Sequence, residues 1–177
     1  MELALLDGIQ SGLQGVFLDT VMPWISRICD HGEVWILLAA VLLLRKQRRT
    51  SGAAVGLALI LELVACNLFL KPMVGRMRPF AVNPGMDLLV PAPTDFSFPS
   101  GHTASSFAAA FALKAAGDRL WIPALILAIA IAFSRLYLYV HWPSDVLCGA
   151  LLGALLGLLS GGLIRWAVRR KGQSGEA

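Results

Sequence analysis

From Val146 to Ile164 the chain carries no charged residue. A crossing of a bilayer's hydrocarbon core needs about 20 mostly apolar residues. In lipid, a segment must also satisfy its own backbone hydrogen bonds, so a run of this kind is read as a helix. Apolar runs recur from Val34 to Leu44, from Gly52 to Leu70 and from Leu120 to about Tyr139, and an Ala- and Ser-rich helix starts at His102 and continues to about Ala115. With 57% hydrophobic and only 15% charged residues in 177, an ordinary soluble domain is excluded. The expected fold is all-α: one membrane-embedded domain over residues 1–177, with about five transmembrane helices plus an N-terminal amphipathic helix, six helices in total.

The N-terminal stretch differs in kind. Between Leu3 and Ile28 the apolar positions Leu6, Ile9, Leu13, Val16, Phe17, Trp24, Ile25 and Ile28 recur mostly at three and four. Asp7, Gln10, Gln14, Asp19 and Arg27 lie between them, and Pro23 interrupts the pattern. Residues 1–30 are expected to lie along the interface or to pack against the bundle, a poor first crossing being the alternative. Early polar residues and the lack of a basic leader argue against a cleaved signal peptide. The Val34–Leu44 run is short, but it ends in Arg45-Lys46-Gln47-Arg48-Arg49, whose long side chains can extend a span by snorkelling.

Basic residues set the expected orientation. Arg45, Lys46, Arg48, Arg49, Lys114, Arg119, Arg165, Arg169, Arg170 and Lys171 fall on one side, which is then cytoplasmic and includes a basic tail over residues 165–177. Arg27, Lys71, Arg76, Arg78 and Arg135 fall on the other side, against the topology rule. The net charge of +4 resides at segment ends, which suits membrane topology and an anionic ligand and not nucleic acid. Cys29, Cys66 and Cys148 have no metal-site spacing and read as packing residues. Gly149, Gly153, Gly157 and Gly161 form a smooth face on the last crossing, suited to packing within the bundle or to a homodimer. Glu62 is a mid-span carboxylate that either pairs internally or extends a functional site.

Three stretches carry ionisable groups whose presence at membrane depth asks for a function. In the first, Lys71-Pro72-Met73-Val74-Gly75-Arg76-Met77-Arg78-Pro79, cations are held between prolines that stiffen the backbone. In the second, Pro99-Ser100-Gly101-His102, a helix start offers unpaired N–H groups to an anion. There Gly101 relieves a tight turn, Ser100 can cap the helix or donate its hydroxyl, and His102 can give a proton to a leaving group. The third, Ser134 to Asp145, places Arg135, His141 and Asp145 at the end of an apolar run. Its carboxylate can hold one imidazole nitrogen while the other faces a substrate, if a helix restarts or the Pro143 turn brings the two round. Interfacial anchoring or a helix cap could explain any one stretch. All three, however, lie at the outer ends of successive crossings, where one anion site accounts for them together.

Order and spacing of these stretches resemble the type 2 phosphatidic acid phosphatases, membrane lipid phosphatases related to vanadium haloperoxidases and to glucose-6-phosphatase. The matching signatures are lysine, six residues, Arg-Pro (Lys71 to Pro79), the PSGH tetrapeptide (Pro99 to His102), and Ser-Arg, five residues, His, three residues, Asp (Ser134 to Asp145). The core of the resemblance spans about Gly52 to Ile164. It implies a phosphohistidine mechanism without a metal or other cofactor. His141 is then the nucleophile, Asp145 fixes its tautomer, and His102 protonates the leaving oxygen and later activates water. Lys71, Arg78 and Arg135, with Ser100 and the N–H groups of Gly101 and His102, hold the phosphate oxygens. Asp87 and Asp95 read as isolated loop residues, and three cations replace Mg²⁺. The Phe80–Phe98 loop is expected to roof the site and touch the lipid.

The expected activity is hydrolysis of a lipid phosphate or diphosphate at the outer face of the cytoplasmic membrane. A polyprenyl diphosphate such as undecaprenyl diphosphate is favoured over phosphatidic acid or phosphatidylglycerol phosphate. Haloperoxidase chemistry is disfavoured by the membrane bundle, and a transporter or scramblase by the absence of paired broken helices. A non-catalytic lipid-binding protein would not need both His102 and His141.

Overall fold

The structure is a computed structural model that describes residues 1–174, with side chains as far as Lys171. Two amphipathic helices open the chain, α1 (Glu2–Leu13) and α2 (Val16–Arg27). The break expected near Pro23 falls instead at Gln14 and Gly15, where Gln14 is extended. Glycine is a poor helix former, whereas Pro23 costs α2 a backbone hydrogen bond without ending it. Both helices pack on the bundle.

α3 (Glu33–Leu44) and α4 (Arg49–Glu62) follow, joined by a single 3₁₀ turn over Lys46–Arg48. The helix started in α4 widens into a π-helical segment, Leu63–Leu70, and runs into α5 (Lys71–Val74), so one continuous rod carries Glu62 at its middle and Lys71 near its end. It stops at Gly75, whose φ of +60° is the left-handed conformation that closes a helix and that glycine adopts without strain. A short turn, α6 (Pro79–Val82), begins the long loop, and α7 (Gly101–Ala116), α8 (Trp121–Tyr137) and α9 (Pro143–Ser174) complete the chain. The described residues contain only helices and their connections. α9 extends well past Ile164, so Arg165 to Lys171 continue the helix and do not form a separate tail; residues 175–177 of the expected tail lie outside the described residues.

Small side chains put α7 at the centre. It packs against α9, α8 and α4, and buries Ala104, Ala108, Ala109, Ala112 and the hydroxyls of Ser105 and Ser106. This is why its composition is less apolar than that of its neighbours, which face outward. The glycine face of α9 is the counterpart: a methyl group on Gly149 would come 2.7 Å from the Ser100 carbonyl oxygen, and one on Gly153 would overlap Ala104. α7 occupies this face inside the monomer, so the homodimer considered for it is not available. Lys46–Val82 and Pro143–Lys171 are long and apolar enough to cross a membrane, with α3 and α8 as shorter apolar helices. Ile36, Leu37, Ile60, Ile126, Leu151 and Leu155 stand exposed on their outer faces, an apolar surface suited to lipid.

Candidate functional site

α5, the N-terminus of α7, the C-terminal end of α8 with the turn after it, and the loop after α6 meet α2, α3 and α4 around a cavity of about 1590 Å³. Lys71, Arg78, Gly101, His102, Arg135 and His141 line it together, so six of the eight expected site residues converge. Asp145 and Ser100, both fully buried, stand behind the lining.

His141 lies in the turn between α8 and α9, which Tyr139 enters at φ +59°. Arg78 Nη1 donates to the Val140 carbonyl at 2.7 Å and reaches His141 Nε2 at 3.2 Å. A guanidinium can only donate, so Nε2 is the acceptor and the imidazole proton sits on Nδ1. Nδ1 faces Asp145 Oδ2 at 3.6 Å, an ion-pair distance but too long for a hydrogen bond, and Nδ1 has no other partner. Burial, with Arg78, Arg135 and Lys71 nearby, keeps this imidazole neutral to well below its ordinary range, outweighing the opposite pull of Asp95. The helix restarts at Pro143, as its fixed φ favours at a first helical position, and this places Asp145 in the first turn of α9.

The cationic cradle is not empty of charge. Asp95, read from the sequence as isolated, pairs with Lys71 and with Arg78 Nη2 at 2.7 Å, while the Arg78 Nε donates to the Asp95 carbonyl at 2.9 Å. Burial pushes the Asp95 carboxyl up, but Lys71 and Arg78 outweigh it and hold it at about 2. The loop does roof the cavity, through Leu89 to Phe96. Its acidic residue thus sits where two of the expected phosphate ligands point, and no spacing rule would have revealed it.

Two details of the PSGH turn differ from expectation. Ser100 does not cap α7 with its side chain; its carbonyl accepts from Ala104 N at 2.9 Å, and its hydroxyl accepts from Thr103 Oγ1 at 3.0 Å. Gly101 is in an ordinary helical conformation and does not serve a tight turn; a Cβ there would meet Asn67 Oδ1 at 3.5 Å and Lys71 Nζ at 3.7 Å, ordinary contact distances. His102 Nε2 contacts Asp30 Oδ1, in the turn between α2 and α3, at 3.2 Å, a partner that no motif in the sequence indicated. Arg135 is buried, bonded to Ser26 of α2, with its Nε unpartnered.

Behind His141, Asp145 has no exposed surface. Its Oδ1 accepts from Arg76 Nη1 at 2.6 Å; its Oδ2 accepts from Ser97 Oγ and from the Trp142 N–H at 2.9 Å. Arg76 stacks over the Trp142 ring and also pairs with Glu2 of α1 at 2.6 Å. Farther along, Tyr139 donates to Asp7 at 2.6 Å and Tyr137 to Asp19 at 2.5 Å. The polar residues that interrupt the N-terminal pattern therefore hold the His141 segment.

Glu62 is buried in the middle of its rod, one oxygen unpartnered, and also lines the cavity. Among the described residues no group of three or more His, Cys, Asp and Glu side chains is arranged to hold a metal ion.

The PAP2 superfamily profile matches residues 51–169. An undecaprenyl-diphosphatase of Sulfolobus acidocaldarius is 38% identical over 137 residues, which is 76% of this chain and 65% of that protein, so the chain spans a little under two thirds of this relative's length. A decaprenylphosphoryl-5-phosphoribose phosphatase of Mycobacterium tuberculosis is 35% identical over 156 residues, 85% of this chain and 84% of the relative. Among solved structures, Aquifex aeolicus LpxE superposes with a TM-score of 0.75 at 28% identity, covering 90% of this chain and 93% of its own.

Proposed function

The chain belongs to the PAP2 superfamily, and from that premise we propose that it is a metal-independent phosphatase that hydrolyses a lipid phosphate or diphosphate through a phosphohistidine. The observation that carries this reading is the convergence of Lys71, Arg78, Arg135, His102 and His141 on one cavity, with His141 Nε2 unprotonated and turned toward the cations.

The substrate phosphate takes the position of the Asp95 carboxylate on Lys71 and Arg78, and Arg135 and the N–H groups at the start of α7 hold the remaining oxygens. His141 Nε2 attacks phosphorus in line, forming the P–N bond as the P–O bond to the leaving group breaks. His102, oriented by Asp30, delivers a proton to the departing oxygen. The same imidazole then removes a proton from water, which attacks phosphorus, breaks the P–N bond and releases phosphate. Asp145 faces the Nδ1 proton and balances the imidazolium formed in the intermediate. The transition state spreads negative charge over three oxygens, so fixed cations supply most of the stabilisation.

For the substrate we favour a polyprenyl diphosphate. Ile36, Ala40 and Leu43 of α3 and Gly56, Leu59 and Ile60 of α4 continue the cavity as an apolar lining, which suits the hydrocarbon part of such a substrate. The Sulfolobus acidocaldarius relative is named an undecaprenyl-diphosphatase. We read five crossings (α3, the α4–α5 rod, α7, α8 and α9), with α1 and α2 over one end of the bundle, and the distribution of basic residues supports a site at the extracytoplasmic face of the membrane. A cysteine introduced at Met73 is then labelled by an impermeant thiol reagent in intact cells; labelling only after lysis reverses the orientation. Phosphate release by purified protein in detergent with chelator tests the activity, comparing undecaprenyl diphosphate with phosphatidic acid and phosphatidylglycerol phosphate. Preference for the polyprenyl diphosphate is the expected result. Preference for a glycerolipid changes the substrate, and activity that chelator abolishes and Mg²⁺ restores overturns the metal-free mechanism.

A further inference from the structure

The network behind Asp145 exceeds what holding a carboxylate requires. Arg76 Nη1 is shared between Asp145 at 2.6 Å and the Ser144 hydroxyl at 2.7 Å, while Nη2 is committed to Glu2 at 2.6 Å. Glu2 uses its other oxygen to accept the Ser144 N–H at 2.9 Å, capping the first turn of α9, where Asp145 sits. One guanidinium thus bridges two carboxylates. The first faces His141 Nδ1, and the second belongs to an amphipathic helix outside the matched family region.

We propose that Arg76 and Glu2 are positioning residues for the His141–Asp145 pair: Arg76 holds the Asp145 carboxylate and withdraws part of its charge from His141, and Glu2 sets how much of Arg76 is available for that. The proposal rests on the assignment of His141 as nucleophile only for its consequence in turnover, since the charge coupling exists whether or not the chain is a phosphatase. The geometry explains why the His141 to Asp145 contact is 3.6 Å. The carboxylate is drawn toward Arg76, Ser97 and the Trp142 N–H and away from the imidazole. Less negative charge behind Nδ1 favours the neutral, nucleophilic ring.

The other charged groups bearing on this pair are Arg78, which faces both His141 and Asp145, and Lys71, Arg135, Asp95 and His102, which bear on His141 from the cavity side. All are unchanged in the variants below. Arg76→Gln returns the full Asp145 charge to His141 and raises its protonation midpoint. Glu2→Gln frees Arg76 to pull harder on Asp145 and lowers it. Each shift is expected to be about half a pH unit to one unit, in opposite directions, whereas loss of packing would move both variants the same way. Arg76→Lys keeps the charge and stays near wild type, which separates charge from folding.

The test is an NMR titration of the full chain in detergent with ¹³C-labelled histidine, which has only three histidines to resolve. His141→Gln assigns the resonance, and size-exclusion profiles report on folding. Opposite displacements of the His141 midpoint in Arg76→Gln and Glu2→Gln are the expected result. Unmoved midpoints, or shifts of the same sign, overturn the proposal. The acid limb of kcat/KM is measured in parallel on the same variants, and the substrate's own titration cancels between them. Opposite midpoint shifts without any turnover uphold the charge coupling and defeat the phosphatase reading, so the two can fail separately.

Discussion

His141 stands between two regions of opposite construction. Its Nε2 side faces a cluster of cations, Lys71, Arg78 and Arg135, the first two of which pair with the loop carboxylate of Asp95, half exposed to solvent. Its Nδ1 side faces Asp145, sealed from solvent and tied to Arg76, Ser97, Trp142 and, through Arg76, Glu2. The front is held by one displaceable ligand and the back by a closed net. A substrate anion can replace Asp95 without disturbing the frame that orients the imidazole, which is the division of labour an in-line phosphoryl transfer needs.

Substitutions rank the two sides. His141→Ala removes the atom both regions serve and should reduce phosphate release by about 10⁴-fold or more while the protein still inserts and purifies as a folded bundle; activity within tenfold of wild type would break the comparison at its centre. Asp145→Asn keeps the shape of the back and removes its charge, with an expected loss of about 10²–10⁴-fold in kcat. Arg78→Gln, at the front, should cost about 10²–10³-fold in kcat/KM and weaken inhibition by vanadate, because it touches both the phosphate site and Nε2. Smallest is Asp95→Asn, which removes a competitor for Lys71 and Arg78. Its KM and its inhibition constant for phosphate should fall by about two- to tenfold with kcat little changed, and a rise in both would make Asp95 a substrate ligand instead.

The Asp95 pairing at the front is also insensitive to ordinary pH. With Asp95 held at about 2, below the usual carboxylate value of 3.8, its pairing with Lys71 and Arg78 is fully present above about pH 4 and is lost as pH falls toward 2. The neutral imidazole of His141 likewise persists as pH falls, so the acid limb of kcat/KM should lie well below 6.5 in the wild type. An enzyme limb at the ordinary imidazole value, with the substrate's own titration taken out, would mean that His141 is more exposed in solution than this site allows.

The two regions were unequally legible in the sequence. Lys71, Arg78, Gly101, His102, Arg135, His141 and Asp145 lie in three short runs at fixed spacing, and helix ends brought those runs to one face, as the apolar patterning implied. The back net joins residues 2, 76, 97 and 145, and neither periodicity nor spacing relates such distant positions. Arg76 falls inside the first run, but it lies in the non-helical turn between Gly75 and Arg78, where side-chain direction has no period to follow. Asp7, Gln10 and Asp19 looked like interruptions of an interfacial helix, and they prove to be the polar face that grips Tyr137 and Tyr139. Amphipathicity identified that face and could not identify its partner.

The central claim is that His141 takes up the phosphoryl group, and its most direct test is to trap the intermediate. His102→Ala protein is incubated with a ³²P-labelled aryl phosphate whose leaving group needs no proton, quenched in alkali and digested. The account predicts label on the peptide containing His141, stable in base and lost in acid, and none in the His102→Ala/His141→Ala double variant. Label on another residue, or persistent labelling of the double variant, would contradict it.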